Sequence, residues 1–314
     1  MAVVLKTVTR TQGNNRALKD GTVTPHGVRF DFVDVPVLID AFRRMVRDLE
    51  FDVSEMAFTT YLCAREHGVP FTALPVFLVR AFHHDAVLVN RNAGILHPKD
   101  LEGRRVGVNR GYTVTTGVWA RGILADEYGV DLDAVTWVLS GDEHVREFRP
   151  PPNVVPMPAG ADLADLLLAG DLAAVIGVEV SHPDVHPLIP DATAGGFEAL
   201  VRRRHYPINH LVVVRDDVLS ANPGVAAEIF AAFSAAKNIY VDRLRADTIA
   251  EPTRTDMMYG RVMELTGANP LPYGIAHNQA TIEELIRHTV DQHILDRPPE
   301  IRTLFAEGTH DLSG

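Results

Sequence analysis

The sequence predicts an α/β protein built as two lobes with a cleft between them. Its 314 residues are enough for about two ordinary domains. Strand, turn and helix signals recur in order and then restart near residue 90, and a later return strand is followed by a helical tail. These observations predict one lobe from residues 1–89 and 208–314 and a second lobe from residues 90–207. Ligands of such sheets bind beyond the carboxyl ends of the strands, so we expect the functional residues in the loops found there.

The first cycle alternates apolar, β-branched runs with stretches of helical periodicity. Glycines and Gly-Asn turns separate these runs, and Gly68 stands where a helix C-cap is expected. The predicted elements are strands Ala2–Thr9, Gly27–Val35 and Phe51–Phe58, helices Leu38–Leu49 and Thr59–His67, and strands Phe71–Val79 and Ala86–Asn90.

The second cycle repeats this order and ends in helices. A capping box at Thr281-Ile-Glu-Glu predicts that the last helix begins there. The predicted elements are strand Arg105–Val108, helix Thr113–Tyr128, strand Ala134–Leu139, helix Asp162–Ala169, buried strand Leu172–Val180, return strand Ile208–Arg215, and helices beginning at Asn222-Pro223 and at Thr281.

Charge and cysteine content exclude several classes of function. The chain has 30 Lys and Arg against 41 Asp and Glu, a net charge of −11, which argues against nucleic-acid or anionic-membrane binding but not against a small anion in a locally basic cleft. A single cysteine, Cys63, excludes a disulfide framework and any multi-cysteine metal site. The N-terminal stretch lacks the apolar core of a signal peptide, and we therefore expect a cytoplasmic protein. Acidic metabolic enzymes are often homo-oligomers, although no stretch here identifies an interface.

Three blocks of sequence resemble the 4,5-dihydroxyphthalate decarboxylase family. They are the long run Phe82–Val138, the segment Tyr206–His210 before the return strand, and Asn269–Ile286. The resemblance implies a type 2 periplasmic-binding-protein-like fold with hinge strands, used inside the cell by an enzyme. It also implies a reaction that removes one carboxylate from 4,5-dihydroxyphthalate to give protocatechuate.

A histidine pair, His83-His84, is the sharpest chemical feature of the sequence. Decarboxylation of a hydroxylated aromatic acid requires a proton on the ring carbon, and histidine suits this transfer because its ordinary pKa is about 6.5. His84 matches the histidine retained in the family's motif, which assigns it as general acid and His83 as an anion binder. The alternative is that both are polar residues at the edge of a sheet.

Two threonine pairs, each between a strand and a helix, predict anion binding. Thr115 and Thr116 follow Tyr112 in the glycine-flanked loop 111–117, and Thr59 and Thr60 hold the equivalent place in the first lobe. Helix N-termini offer free N–H groups and a favourable dipole to a carboxylate. The alternative is ordinary helix capping.

Arginine and other polar residues complete the predicted site. A guanidinium binds a carboxylate in a bidentate way, and Arg10 and Arg110 stand at strand ends, whereas Arg121 lies inside a helix and is assigned a solvated or structural role. Glu179, after the buried strand, is expected to polarise a ligand hydroxyl or accept its proton, with a salt bridge as the alternative. The segment Asn209-His210 is expected to line the cleft.

No cofactor is predicted, because the chain contains no Gly-x-Gly-x-x-Gly motif, P-loop or serine nucleophile elbow. A divalent metal is the lesser alternative, with His182, His186 and His83-His84-Asp85 as ligand types. The leading function is thus a cofactor-independent decarboxylase of a small anionic aromatic acid. The alternative is a non-catalytic solute-binding protein for an organic acid. A pyrimidine synthase of the thiamine-precursor type is disfavoured, because it relies on a cysteine-rich segment.

Overall fold

A computed structural model describes residues 2–314 as two compact units, each with its own sheet. The first unit contains residues 2–80, 208–283 and 299–314, and the second contains residues 81–207 and 284–298. Residues 81–89, which were grouped with the first lobe, fall in the second unit because the strand Val87–Asn90 pairs with the strand Ala174–Ile176. Residues 284–298 were also predicted in the first lobe and also fall in the second unit, where Gln292 accepts a hydrogen bond from Arg121.

The first unit is built on a five-stranded sheet of order β2-β1-β3-β11-β4. Strand β1 pairs parallel with β2 and β3, and the return strand β11 runs antiparallel between β3 and β4. The carboxyl ends of β1 and β3 therefore meet the amino end of β11 at one edge. The elements are β1 Val3–Val8, α1 Arg16–Lys19, β2 Val28–Phe32, α2 Leu38–Asp48, β3 Val53–Ala57, α3 Phe58–Glu66, β4 Phe71–Arg80, β11 Ile208–Arg215, α7 Asp216–Ala221, α8 Val225–Arg245, α9 Arg254–Thr266 and the first half of α10 Ile275–Asp291.

The second unit is built on a six-stranded sheet of order β10-β5-β9-β6-β7-β8. Strands β9, β6, β7 and β8 are mutually parallel, so the loops that follow them share one edge, whereas β5 runs antiparallel to both of its neighbours, β9 and β10. The elements are β5 Val87–Asn90, β6 Arg105–Val108, α4 Thr115–Tyr128, β7 Thr136–Leu139, β8 Val154–Pro156, α5 Leu163–Ala169, β9 Ala174–Ile176, β10 Val185–Pro187, α6 Ala192–Arg203 and the end of α10.

Most predicted elements are confirmed within a few residues, and two differ clearly from their predicted bounds. The buried strand predicted over Leu172–Val180 is only Ala174–Ile176, because Gly177 takes a left-handed φ of 73° and turns the chain. The last helix begins at Ile275 rather than at the predicted capping box, so Thr281 lies buried inside α10. The short strands β8 and β10 and the helices α1, α6, α7 and α9 were not among the predicted elements. No helix within residues 2–314 has both the length and the apolar character needed to cross a membrane.

Candidate active site

A histidine–carboxylate pair lies at the loop edge of the first unit. Glu55 is on β3 and His210 is on β11, and the register places His210 opposite Ala57. Since alternate residues of a strand share a face, Glu55 and His210 are diagonal neighbours on one face of the sheet. Nδ1 of His210 lies 2.7 Å from Oε1 of Glu55.

The Glu55 carboxylate is fully buried and is surrounded by hydrogen-bond donors. Its Oε2 accepts from the backbone N–H of Arg10 at 2.9 Å, and the side-chain amide of Gln12 lies 3.3 Å from Oε1. A buried carboxylate is tolerated only when it is hydrogen-bonded in this way. Because the carboxylate is an acceptor, it fixes the proton of the His210 ring on Nδ1.

The other edge of the His210 ring is available for chemistry. The side chain is 17% exposed, and Nε2 makes no hydrogen bond with any residue between 2 and 314. Phe42 meets the ring edge-on, with centroids 5.2 Å apart, and restricts its rotation. The arrangement therefore presents one oriented imidazole nitrogen that can give or take a proton.

The remaining residues predicted for this lobe lie close in sequence to the pair but differ in exposure. Arg10 follows β1 and its side chain is exposed. Asn209 is buried beside His210 in β11. Thr59 and Thr60 fall in the first turn of α3, as predicted, but both are fully buried, and the Thr60 hydroxyl makes no hydrogen bond within the described chain. Of these residues, Arg10 and His210 are the ones a ligand can reach without rearrangement.

The second unit gathers its predicted residues at the shared edge of its parallel strands. Arg110 follows β6 with a left-handed φ of 71°, and its backbone N–H donates to Ser140 after β7 at 2.8 Å. Asn109 donates to the carbonyl of Gly177 after β9 at 2.8 Å, and this joins the third loop to the other two. Arg110 is exposed as a residue, and the partial burial of its guanidinium lowers its pKa.

A carboxylate of the protein already occupies part of the predicted anion-binding loop 111–117. Glu143, from the loop after β7, accepts hydrogen bonds from the backbone N–H groups of Tyr112 and Thr113, and from the Thr113 hydroxyl at 2.7 Å. Burial raises the pKa of Glu143, and these hydrogen bonds offset the shift only in part. The N–H groups of Tyr112 and Thr113 are therefore not open to a substrate. The part of the loop 111–117 still predicted to bind an anion is the helix start at Thr115 and Thr116.

Arg121 supports this loop from inside the unit. Its guanidinium stacks 3.9 Å from the Tyr112 ring centroid and donates to the Tyr112 carbonyl at 2.7 Å. It is completely buried, and burial lowers its pKa. Tyr112 is buried as well, so this pair holds the loop in place, in line with the structural role predicted for Arg121.

Glu179 and His83 lie near the loop after β9. Glu179 is exposed, three residues beyond the end of β9. His83 is buried, and its carbonyl accepts from Ala86, whose own carbonyl accepts from Gly177 at 3.0 Å. Thr116 packs 3.5 Å from the position of a Cβ on Gly177. The structure thus brings the segments of His83, Glu179 and Thr116 to the same edge.

His84 is directed toward the opposite end of α4. Its Nε2 lies 3.0 Å from Oε1 of Glu127, in the last turn of that helix, and Arg203 binds the same oxygen. Thr115 and Glu127 are twelve residues apart, which is about 18 Å along a helix. Within this unit, the structure does not bring the His84 ring to the helix start that it was expected to serve. The alternative ligand residues His182 and His186 are both exposed, around β10.

Sequence reasoning missed Glu55 and Glu143, although each has a signal. Glu55 is a lone acid inside the apolar strand Val53–Ala57, and a buried acid needs partners. Glu143 follows a parallel strand at the carboxyl edge, where functional loops gather.

The chain is similar in sequence to two curated enzymes. The 4,5-dihydroxyphthalate decarboxylase of Comamonas testosteroni is 30% identical over 311 residues, which cover 92% of each chain. The enzyme of the same name from Pseudomonas putida is 32% identical over 190 residues, 56% of this chain and 73% of that one. No protein-family model matches the sequence.

Solved structures establish the fold. The aliphatic sulphonate binding protein SsuA of Escherichia coli matches with a TM-score of 0.55 at 12% identity, covering 97% of this chain and 98% of that one. The desulfurization enzyme DSZB matches with a TM-score of 0.56 at 15% identity, covering 98% and 97%. The predicted type 2 periplasmic-binding-protein-like fold is confirmed.

Proposed function

Because this chain belongs to the 4,5-dihydroxyphthalate decarboxylase family and is a carboxy-lyase, we propose that it decarboxylates 4,5-dihydroxyphthalate or a close analogue without a cofactor. The product from 4,5-dihydroxyphthalate would be protocatechuate. Two relatives that carry this name, one aligned over nearly the whole chain, support the assignment of the substrate class. They also favour an enzyme over the alternative of a non-catalytic solute-binding protein.

The reaction needs one proton and releases one carbon dioxide. A ring hydroxyl para to the leaving carboxylate supplies electron density, and the ring carbon accepts a proton from the enzyme. The bond between that carbon and the carboxylate then breaks, its electron pair restores the aromatic ring, and the carboxylate leaves as carbon dioxide. The donor, left neutral, regains a proton from water.

His210 is the best placed donor, and its pairing with Glu55 is the observation that carries this assignment. The buried Glu55 carboxylate fixes Nδ1 and stabilises the charged ring, while Nε2 carries no competing hydrogen bond within the described chain. The donor predicted from the sequence was His84, whose Nε2 is already bound to Glu127. We therefore place the proton transfer at His210 and keep His83 and His84 as the alternatives to be tested.

Arg10 is the proposed carboxylate-binding residue beside this donor. Its backbone N–H donates to Glu55, which also bonds His210, and the residue is exposed, so we propose that its guanidinium binds the substrate carboxylate. The roles predicted for Arg110, Thr115, Thr116 and Glu179 in binding a carboxylate or a ring hydroxyl stay predictions.

Incubation of the purified protein with 4,5-dihydroxyphthalate tests the proposal. We expect stoichiometric carbon dioxide and protocatechuate, unchanged turnover after treatment with a chelator, and, in deuterium oxide, one deuterium on the carbon that lost its carboxylate. Phthalate without hydroxyls should not react, because no hydroxyl then supplies electron density to the ring carbon. If no dihydroxylated aromatic acid were turned over, or if turnover required added metal, the proposal would be wrong.

A further inference from the structure

Three ligand-type side chains converge in the second unit, at the end of α4 away from Thr115. Glu284 and His288 lie one turn apart on α10, and Asp126 faces them from the last turn of α4. Nε2 of His288 is 3.8 Å from Oδ2 of Asp126 and 3.9 Å from Oε1 of Glu284, and the three ligand atoms lie within 4.8 Å of one another. Ligand atoms around a tetrahedral zinc ion are about 3.3 Å apart, so the three ligand atoms need to move only slightly closer together to bind such an ion.

The His288 ring faces this gap, and within residues 2–314 its Nε2 forms no hydrogen bond with either carboxylate. The residue is 2% exposed, and its distances to both carboxylates are too long for hydrogen bonds. Imidazole nitrogen is a common ligand of zinc-class ions, and the ring is placed so that its Nε2 points at both carboxylates.

The packing around His288 holds its ring in this place. A Cβ on Gly122 of α4 would lie 2.5 Å from the ring, so that position leaves the space that the imidazole fills. Trp119 meets the ring edge-on at 5.5 Å between centroids. His205 donates from Nδ1 to Glu284 at 2.9 Å, the kind of outer contact that orients a metal-binding carboxylate.

Two arginines compete with a cation for the carboxylates. Arg287 forms a two-pronged ion pair with Asp126, and Arg203 lies 3.9 Å from Glu284. Arg287 also contacts Asp291 at 3.2 Å, which gives it a second partner when Asp126 turns to a metal. Asp126 is exposed, and this leaves an entry path from solvent.

We propose that Asp126, Glu284 and His288 bind a divalent transition-metal ion of the zinc class, with water in the remaining position. Nitrogen and carboxylate ligands suit such an ion. The ion would join α4 to α10, and it takes no part in the proton transfer proposed for His210. The site also differs from the set with His182 and His186 considered from the sequence.

Binding of Zn²⁺ and Co²⁺ to the full chain, after removal of metal with a chelator, tests the proposal. We expect one ion per chain by equilibrium dialysis, a visible Co²⁺ absorption band, and a rise in Tm of about 2–4 °C with Zn²⁺. Glu284→Gln should abolish binding, whereas Glu283→Gln, the matched loss of charge on the neighbouring exposed residue, should not. Unchanged binding in both Asp126→Asn and His288→Gln would overturn the site.

Arg287→Gln provides the sharpest test, because we expect it to raise the affinity for Zn²⁺, whereas a variant that only destabilised the fold would lower it. Removing the competing cation should tighten Zn²⁺ binding about 10-fold or more, even as it breaks the ion pair with Asp126. Gly122→Ala should weaken binding by displacing the His288 ring. If neither the wild-type chain nor Arg287→Gln bound Zn²⁺, the proposal would fail, whatever the outcome for decarboxylation.

Discussion

Two histidine–carboxylate pairs, one in each unit, have nearly the same contact and opposite burial. In the first, Glu55 is fully buried and His210 is 17% exposed. In the second, the His84 side chain is 1% exposed and Glu127 is 23% exposed. The contact distances, 2.7 and 3.0 Å, differ little.

The difference shows that the function of such a pair depends on which of its two members is buried, the carboxylate or the imidazole. A buried carboxylate with an outward ring leaves one nitrogen facing solvent or substrate, as a general acid requires. A buried ring with an outward carboxylate directs the imidazole inward, and Glu127 there shares its charge with Arg203. We therefore expect the first pair to affect the reaction rate and the second to affect stability.

The largest expected effect is the loss of His210. His210→Gln should lower kcat about 10³-fold, because the proton donor is removed while the shape is nearly kept. Steady-state kinetics with 4,5-dihydroxyphthalate measures this, with His84→Gln as the matched control. If His84→Gln lost the activity and His210→Gln kept it, the assignment drawn from the sequence would be right and the comparison would be reversed.

A smaller loss is expected for Glu55→Gln, about 10- to 100-fold in kcat with little change in KM. The amide still accepts the Nδ1 hydrogen but no longer stabilises the charged ring. The double variant Glu55→Gln, His210→Gln should be no worse than His210→Gln alone, since the two residues act as one unit. Additive losses in the double variant would show that they act separately.

Arg10 should change binding more than rate. Arg10→Ala is expected to raise KM about 10-fold, because a bidentate contact with the substrate carboxylate is lost. Arg10→Lys should recover only part of the affinity, since an ammonium cannot form the paired contact. An unchanged KM in both variants would remove Arg10 from the site.

The pair in the second unit should show itself in the pH dependence of stability. Burial raises the pKa of Glu127, but the hydrogen bond with His84 and the nearby charges of His84 and Arg203 outweigh burial and hold it below the ordinary value. This stabilisation is present above the unfolded-state pKa of about 4.3 and is lost as pH falls through the lower folded-state value. Glu127→Gln should therefore cost about 1 kcal/mol at pH 7, and the difference should vanish near pH 3.

Thermal unfolding of the wild-type chain and of Glu127→Gln across this pH range checks the prediction. Activity at pH 7 should stay within about twofold of wild type, since the variant leaves His210 untouched. A large loss of kcat with no change in Tm would place Glu127 with the catalytic residues instead.

The fold was largely predictable because the periodicity of strands and helices depends only on residues that are close together in the sequence. The return strand Ile208–Arg215 was predicted with its observed bounds, since its apolar run and flanking signals need no distant partner. The start of α10 was not predictable from Thr281, because burial within the folded chain overrides a local capping pattern.

The site was less predictable, because contacts between distant residues decide it. Nothing in the sequence relates Glu55 to His210, which are 155 residues apart and meet through strand register. The threonine pairs were placed at helix starts as predicted, yet the sequence could not show that Glu143 bonds Tyr112 and Thr113 in the anion-binding loop 111–117. His84 was assigned as the general acid because it matches the histidine of the family's motif, and only packing revealed that Glu127 binds its ring.

The contacts of Gln292 and His288 with α4 bear on how the chain is made. The Arg121 guanidinium bonds Gln292, and the space above Gly122 is filled by His288, so the interior of the second unit includes residues 284–298, which follow all of its strands in the sequence. A nascent chain that ends at residue 280 already contains every strand of this sheet but lacks these packing residues. The second unit should thus finish folding only after residues 284–298 have left the ribosome, and nascent chains that end earlier should bind chaperones.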